Sequence, residues 1–350
     1  MKLLQAIAGA EFGGAENFFV RLASALQKTN IEQRVIIRSN KTRANALKKA
    51  GVEFTELRFG GVLDWGSKIK FRKIVNQFEP DIVLTWMNRA TQYFSRKEHE
   101  NLTHIARLGG FYNLKYYTHC DHLICNTKGI QRYLKENGWR EENLDYLPNF
   151  VKVGDGDPIQ RKHYFTPENA PVVLGMGRFH ENKGFDILLE AISRVPGVYL
   201  WLAGAGPLRN DLEILAEKLS VKPRVRFLGW HENITPLLRA ANVFVCASRL
   251  EPLGNVILEA WAHEVPVVSS DIDGPGELIE HLVSGILVPV DNPILLSRAI
   301  RNLLVDSRLC QKIVDNGKLT FESEFTEKKV TNKYLEFFQG IVEKCAESQG

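Results

Sequence analysis

No apolar run in this 350-residue chain reaches the roughly 18 residues that a membrane-spanning helix needs, so none is expected. Cysteine is scarce as well. The five thiols (Cys120, Cys125, Cys246, Cys310 and Cys345) are odd in number and scattered, which argues against a disulfide framework and fits a reducing cytosol. His119, Cys120, Asp121, His122 and Cys125 stand close together, but two cysteines four residues apart with flanking histidines match no common zinc spacing. That stretch reads instead as a helix end running into a strand over 123–125. A Gly-x-Gly-x-x-Gly fingerprint is also missing; the first turn carries Gly13-Gly14 instead, which disfavours a dinucleotide-dependent oxidoreductase.

What is present describes a globular protein: 44% of residues are hydrophobic and 25% charged, and the length suffices for two domains with separate cores. The net charge of +4 conceals an asymmetry, because residues 1–163 carry 26 Lys and Arg against 17 Asp and Glu, whereas 164–350 carry 19 against 24. The basic half suits an anionic partner such as a phosphorylated glycolipid, an acidic membrane surface or nucleic acid, or serves solubility alone. Within it, Lys68, Lys70, Arg72 and Lys73 interleave with Trp65, Ile69 and Phe71. An interfacial helix has that pattern, and so has an amphipathic helix facing a core. The apolar run 3–10 is at the short limit for a signal sequence, contains Gln5 and leads into Gly-Gly-Ala-Glu, so it reads as the first strand.

Short apolar runs then recur. Strands are expected at 3–8, 34–38, 81–85, 104–108 and 123–125, and, beyond a turn-rich connector ending at Pro171, at 172–176, 199–203, 225–228, 243–247 and 265–269. Helices fit 15–28, 187–194 and 326–343. Such alternation is doubly wound α/β. Ligands of these sheets bind beyond the carboxyl ends of the strands, which makes Trp86, Asn88, Arg89, Arg107 and Tyr112 candidates for one side of a site. In the second half, Gly177, Arg178 and Lys183 follow a strand in an order that can hold a diphosphate, and Gly204 and Gly206 mark another close-approach loop. As single residues all of these also read as loop or surface positions.

The most informative stretch is 241–276. Pro252 pushes Glu251 out of the α region and leaves it on a loop, Gly254 and Asn255 open a helix, and Glu259 follows about one turn in. Free N–H groups at such a helix start suit a phosphate or sugar hydroxyls. Two carboxylates so spaced reach different parts of one elongated polar ligand; on composition alone they read as solvated surface charges.

Glu251-x7-Glu259, followed by Ala-Trp-Ala and by Pro-Val-Val-Ser-Ser-Asp-x-x-Gly, resembles the signature of family-four glycosyltransferases. Spacing, Pro252, Gly254 and both flanking strands agree together. The resemblance covers most of 1–343, is strongest over 172–293, and implies the GT-B fold, two Rossmann-like doubly wound domains facing a central cleft. It would assign 1–163 to an acceptor-side domain with its connector, 164–325 to a nucleotide-sugar domain, and 326–350 to a helix crossing back onto the first domain. It implies sugar transfer from a nucleotide-diphosphate donor with retention and without a metal. Arg178 and Lys183 would neutralise the leaving diphosphate, Glu251 contact the transferred sugar and Glu259 the donor ribose. Backbone near Gly254 and Asn255 would add stabilisation, Gly14 would face the donor phosphate, and the loops at Gly177, Gly204, Gly206 and Gly229 would line the donor and its base. Trp86 to Arg89 together with Arg107, Gly109, Gly110 and Tyr112 resemble enzymes of bacterial lipopolysaccharide or surface-polysaccharide assembly, which implies a saccharide or lipid-linked acceptor, peripheral contact with an anionic membrane on its cytoplasmic side and no nucleic acid. Two departures stand out: the histidine that many relatives carry after the strand 104–108 is not matched, since His104 sits too early, and Phe150 replaces the glycine of Pro-Asn-Gly.

Asp271-Ile272-Asp273 has the form of a metal motif from a different glycosyltransferase fold, but here it reads as loop. Two rivals remain at this stage: a sugar-nucleotide epimerase of similar fold, and a catalytically idle nucleotide-sugar-binding protein.

Overall fold

The computed structural model describes residues 1–11, 13–61, 64–99 and 102–347. The chain divides into two compact units, Met1–Phe150 with Glu327–Gly350, and Val151–Thr326. Each is an α/β unit built on one parallel sheet.

In the first unit the strands are β1 (Lys2–Ile7), β2 (Glu32–Arg38), β3 (Phe54–Leu57), β4 (Ile82–Trp86), β5 (Thr103–Leu108), β6 (His122–Cys125) and β7 (Leu144–Tyr146), in the order β3-β2-β1-β4-β5-β6-β7. Every residue of β4 and β5 is buried, as a parallel strand covered by helices on both faces requires. Successive side chains of β1 go to opposite faces: Leu3 and Ile7 pack with Phe18, Phe19 and Trp86, while Leu4 and Ala6 pack with Phe59, Phe71 and Val83. Gln5, the polar residue of that strand, is fully buried but satisfied, donating to Gln33 Oε1 at 3.1 Å and accepting from Trp86 Nε1 at 3.2 Å. The helix Glu327–Glu347 belongs to this unit because Val330, Tyr334, Phe338 and Ile341 enter the same core as Phe18, Trp86 and Phe150.

The second unit has β8 (Val172–Met176), β9 (Tyr199–Ala203), β10 (Val225–Gly229), β11 (Val243–Cys246), β12 (Val267–Ser270) and β13 (Ile286–Val288), in the order β10-β9-β8-β11-β12-β13. Strand order reverses between β1 and β4 in one sheet and between β8 and β11 in the other, and at such switch points adjacent loops part and leave a crevice. The expected strand over 265–269 begins only at Val267, after Pro266, which has no N–H to give to a ladder. Asp271 lies on a loop, whereas Asp273, expected there too, heads a short helix, Asp273–Leu278.

The unit boundary falls at 150/151, so the connector expected with 1–163 goes with the second unit. Residues of the connector are bound into the second unit: Val151 joins its core, Ile159 N donates to Pro236 O at 3.0 Å, and the Arg161 guanidinium donates to the carbonyls of Ala240, Glu168 and Ala170, each at 2.8 Å.

Candidate functional site at the carboxyl edges of the two sheets

In the second unit, Lys183 closes the loop after β8, at the end of a 3₁₀ turn Glu181–Lys183, and Gly184 then takes φ 60° to start the helix Phe185–Ser193. A side chain on Gly184 would collide with the Ala247 carbonyl at the end of β11, so glycine lets these two loops touch. Glu251 lies on the loop after β11. Gly254, with φ 86°, caps the helix Asn255–Ala262. The loop is also held from behind: Gly274 N donates to Glu251 O at 3.1 Å, and a Cβ on Gly274 would meet that same carbonyl. This gives the glycine of the Asp-x-x-Gly motif a physical reason.

The switch point brings Lys183 and Glu251 together, 68 residues apart in sequence, in an ion pair of Lys183 Nζ with Glu251 Oε2. Their side chains are 25% and 14% exposed, so the pair is screened far less than a surface one. Burial alone would lower the Lys183 pKa, but the charge and hydrogen bond of Glu251 outweigh it and raise it, so the ammonium stays charged. Arg178 is exposed and, among the described residues, has no ion pair or hydrogen bond. Glu259 and Asn255 are half-buried on the first turns of their helix, and the Glu259 carbonyl is 2.7 Å from His263 Nδ1. Gly177, Gly204 and Gly206 serve contact between loops: a Cβ on Gly204 would collide with the Gly177 carbonyl, and one on Gly206 with Phe179 backbone. Gly229, at φ 77°, faces open space beside Trp230, which is 58% exposed.

Sequence reasoning missed Arg249. Its Nε donates to Asp291 Oδ1 at 2.7 Å, and its two terminal nitrogens donate to Asp186 Oδ1 and Oδ2 at 3.0 and 2.6 Å. The available signal was its place two residues before Glu251 and that of Asp186 three residues after Lys183.

In the first unit the acceptor-side candidates separate. Trp86 and Arg107 do not line a surface. Both are buried in the core, with the Arg107 guanidinium 4.6 Å from the ring centres of Phe18 and of Trp86. Arg107 Nε donates to Tyr334 Oη at 2.7 Å and a terminal nitrogen donates to Asn149 Oδ1, so this side chain ties the returning helix to β5. Asn88 and Arg89 do share a cleft of about 430 Å³ with Lys68 and Tyr116. Tyr112 is half-buried, its phenol pKa raised by burial and by the Glu16 charge. Gly14 is the exposed first residue of the helix Gly14–Leu26. The loop before it is organised by a second residue that sequence reasoning missed, the buried Glu16, whose Oε1 accepts from Ala10 N at 2.7 Å and against which side chains at Gly9 or Gly13 would collide. His104 is buried within β5, 2.9 Å from Thr85 Oγ1.

On the helix Trp65–Phe78 the apolar residues divide. Phe71 is in the core, while Trp65 and Ile69, one turn apart on the same face, are each 67% exposed. Lys68 Nζ lies 5.4 Å from the Trp65 ring centre, and Arg72 pairs with Glu98 at 3.3 Å.

Comparison with known proteins places this geometry. The sequence profile described as Glycosyltransferase Family 4 matches residues 12–154, and that described as Glycosyl transferases group 1 matches 157–320. The lipopolysaccharide core biosynthesis glycosyltransferase LpsE of Rhizobium meliloti (strain 1021) is 36% identical over 93% of this chain and 95% of its own. LpsD of the same organism, with the same description, is 35% identical over 98% and 100%. Anabaena Alr3699/HepE, solved in complex with UDP and glucose, superposes with a TM-score of 0.84 over 97% of this chain and 100% of its own at 20% identity, which establishes a shared GT-B fold.

Proposed function

Since the chain belongs to glycosyltransferase family 4, we propose that it moves a sugar with retention from a nucleotide-diphosphate donor, held by its second unit, to a saccharide or lipid-linked acceptor engaged by its first, in lipopolysaccharide core assembly. The observation that carries the donor assignment is the Lys183–Glu251 pair at the β8/β11 switch point. An ammonium has three donors, so Lys183 keeps one bond to Glu251 while offering others to the diphosphate. Arg178, free of partners among the described residues, supplies a planar guanidinium for the same oxygens. Charge that develops on the leaving diphosphate meets these two cations and the amides near Gly254 and Asn255, with no metal needed. The second oxygen of Glu251 accepts from a hydroxyl of the transferred sugar, and Glu259 accepts from the donor ribose.

On the first unit, Lys68, Asn88 and Arg89 line the cleft that receives an acidic acceptor. The exposed Trp65 and Ile69 beside Lys68, Lys70 and Lys73 support peripheral contact with the anionic inner face of the cytoplasmic membrane. Among the described residues no helix is long and apolar enough to cross a membrane.

The test begins with a thermal-shift screen of nucleotide-sugars; UDP-glucose comes first, given the UDP and glucose bound by the Anabaena relative. Glu259→Ala weakens donor binding by about 1.5–3 kcal/mol, the contribution of a charge-assisted hydrogen bond. Glu251→Ala lowers turnover more than nucleotide affinity. If both substitutions leave affinity and turnover untouched, the donor assignment is wrong.

A further inference from the structure

The ladder between β8 and β11 is short. Only Val243↔Val173 and Phe244↔Leu174 are in register, although β8 continues to Met176 and β11 to Cys246. Beyond those two pairs the Lys183 loop and the Glu251 loop are held by contacts of their own, with Gly184 packed against the Ala247 carbonyl and Lys183 paired with Glu251. Arg249 adds a third connection. Its backbone N–H donates to Asn182 O at 2.8 Å, and the following Leu250 N to the same oxygen at 3.3 Å. Its guanidinium donates to Glu181 O at 2.8 Å, to both carboxylate oxygens of Asp186 and to Asp291 Oδ1. One side chain on the Glu251 loop thus reaches the 3₁₀ turn that ends in Lys183, the first turn of the helix behind it, and the loop after β13. Asp291 holds a left-handed backbone, φ 55°, a conformation that Asp adopts more readily than most non-glycine residues.

We propose that Arg249 is a positioning residue: its guanidinium sets the Glu251 loop against the Lys183 loop so that both groups meet one donor diphosphate-sugar. The proposal rests on the donor-site reading of Lys183 and Glu251. Arg249, Asp186 and Asp291 are 29%, 41% and 52% exposed, so as ion pairs they are solvent-screened. Their value lies in the geometry of a planar fork that satisfies several acceptors on different loops at once, which a lysine point charge cannot reproduce.

The experiment compares the parent protein with Arg249→Lys, Arg249→Ala, Lys183→Ala and the double variant Lys183→Ala/Arg249→Lys. Backbone hydrogen exchange is measured peptide by peptide, and UDP, GDP and ADP are titrated as probes by calorimetry. Arg249→Lys speeds exchange at least tenfold in peptides spanning 180–184 and 248–252 together, with β8, β11 and the first unit unchanged. The affinity for whichever nucleotide binds falls roughly ten- to a hundredfold, as for loss of one charge-assisted contact. In the Lys183→Ala background the same change has little further effect, because a residue that acts through Lys183 has nothing left to position. Unchanged exchange in the two loops overturns the proposal, and so does an affinity loss that persists undiminished in the Lys183→Ala background. If the parent binds none of the three nucleotides, the donor-site reading falls and takes the catalytic purpose of the clamp with it, while the exchange data still decide whether Arg249 joins the loops.

Discussion

Replacing Arg107 by Ala separates its two possible roles, a group that meets an acceptor and a staple inside the first unit. The structure supplies the terms. Truncation deletes one charge-assisted bond to Tyr334 Oη and one to Asn149 Oδ1, each contributing about 1.5–3 kcal/mol. Two aromatic faces, Phe18 and Trp86, each contribute about 0.5–2 kcal/mol more. Relief from keeping a guanidinium out of water offsets a substantial part of that sum, and the change should cost about 3–5 kcal/mol, within the range for truncating a large buried side chain and leaving its hydrogen-bond partners unsatisfied. A domain of this size loses about 2–4 °C of Tm per kcal/mol, so the transition of the first unit falls by roughly 6–20 °C. Arg107→Lys recovers little, because an ammonium cannot lie flat between two rings and reach both oxygens. Scanning calorimetry measures the shift. Limited proteolysis gives an independent readout, since the helix Glu327–Glu347 loses its polar tie to β5 and is cleaved earlier. A Tm within about 2 °C of the parent, with sugar transfer abolished, would refute this reasoning and return Arg107 to the acceptor side.

Arg178→Lys should impair turnover nearly as much as Arg178→Ala, since the assigned task is bidentate, and EDTA should have little effect; nucleotide release measures both, and activity lost to chelator and restored by Mg²⁺ or Mn²⁺ would return Asp271 and Asp273 to consideration as ligands. Burial drives the His104 pKa down to about 3 from its usual 6.5, with the Arg96 charge acting the same way and the His119 carbonyl opposing both. Between those values the unfolded chain binds a proton that the folded chain refuses, so stability falls as pH is lowered through that window, by up to about 1.4 kcal/mol per pH unit. His104→Gln should flatten the acid limb of urea midpoints plotted against pH, and an unchanged slope would contradict the assignment. Changing Lys68, Lys70, Arg72 and Lys73 to Gln should reduce co-sedimentation with anionic but not neutral liposomes, and Trp65→Ser with Ile69→Ser should reduce it further. Association should weaken with salt, because exposed charges are screened over about 8 Å at physiological ionic strength; indifference to lipid charge, salt and substitution would favour a soluble acceptor.

Much of this protein was legible in its sequence because parallel strands buried on both faces must be short and apolar, and because helix starts leave local marks. The strands at 172–176 and 199–203 agree with the structure to the residue, and Gly254 marks the start of the helix that carries Glu259. The family signature was legible for the same reason, since it lies within one continuous stretch of chain, a loop and a helix between two consecutive strands. Other features had no local cause. Trp86 and Arg107 were expected beyond strand ends, yet they are interior because a helix more than 200 residues later in the chain returns to cover them, with Arg107 and Tyr334 separated by 227 positions. Lys183 and Glu251 were assigned to different parts of one ligand, and nothing in either segment shows that they touch. Their contact follows from strand order, which sets β8 beside β11 although β9 and β10 intervene in the chain. Arg249 was invisible for a related reason: an arginine in a loop looks like any surface charge until the fold brings Asp186 and Asp291 to its guanidinium from a helix start and another loop. Periodicity and spacing are encoded locally and survive in the sequence, whereas a meeting of side chains across a switch point depends on sheet order and on where the chain returns, and only the tertiary structure determines it.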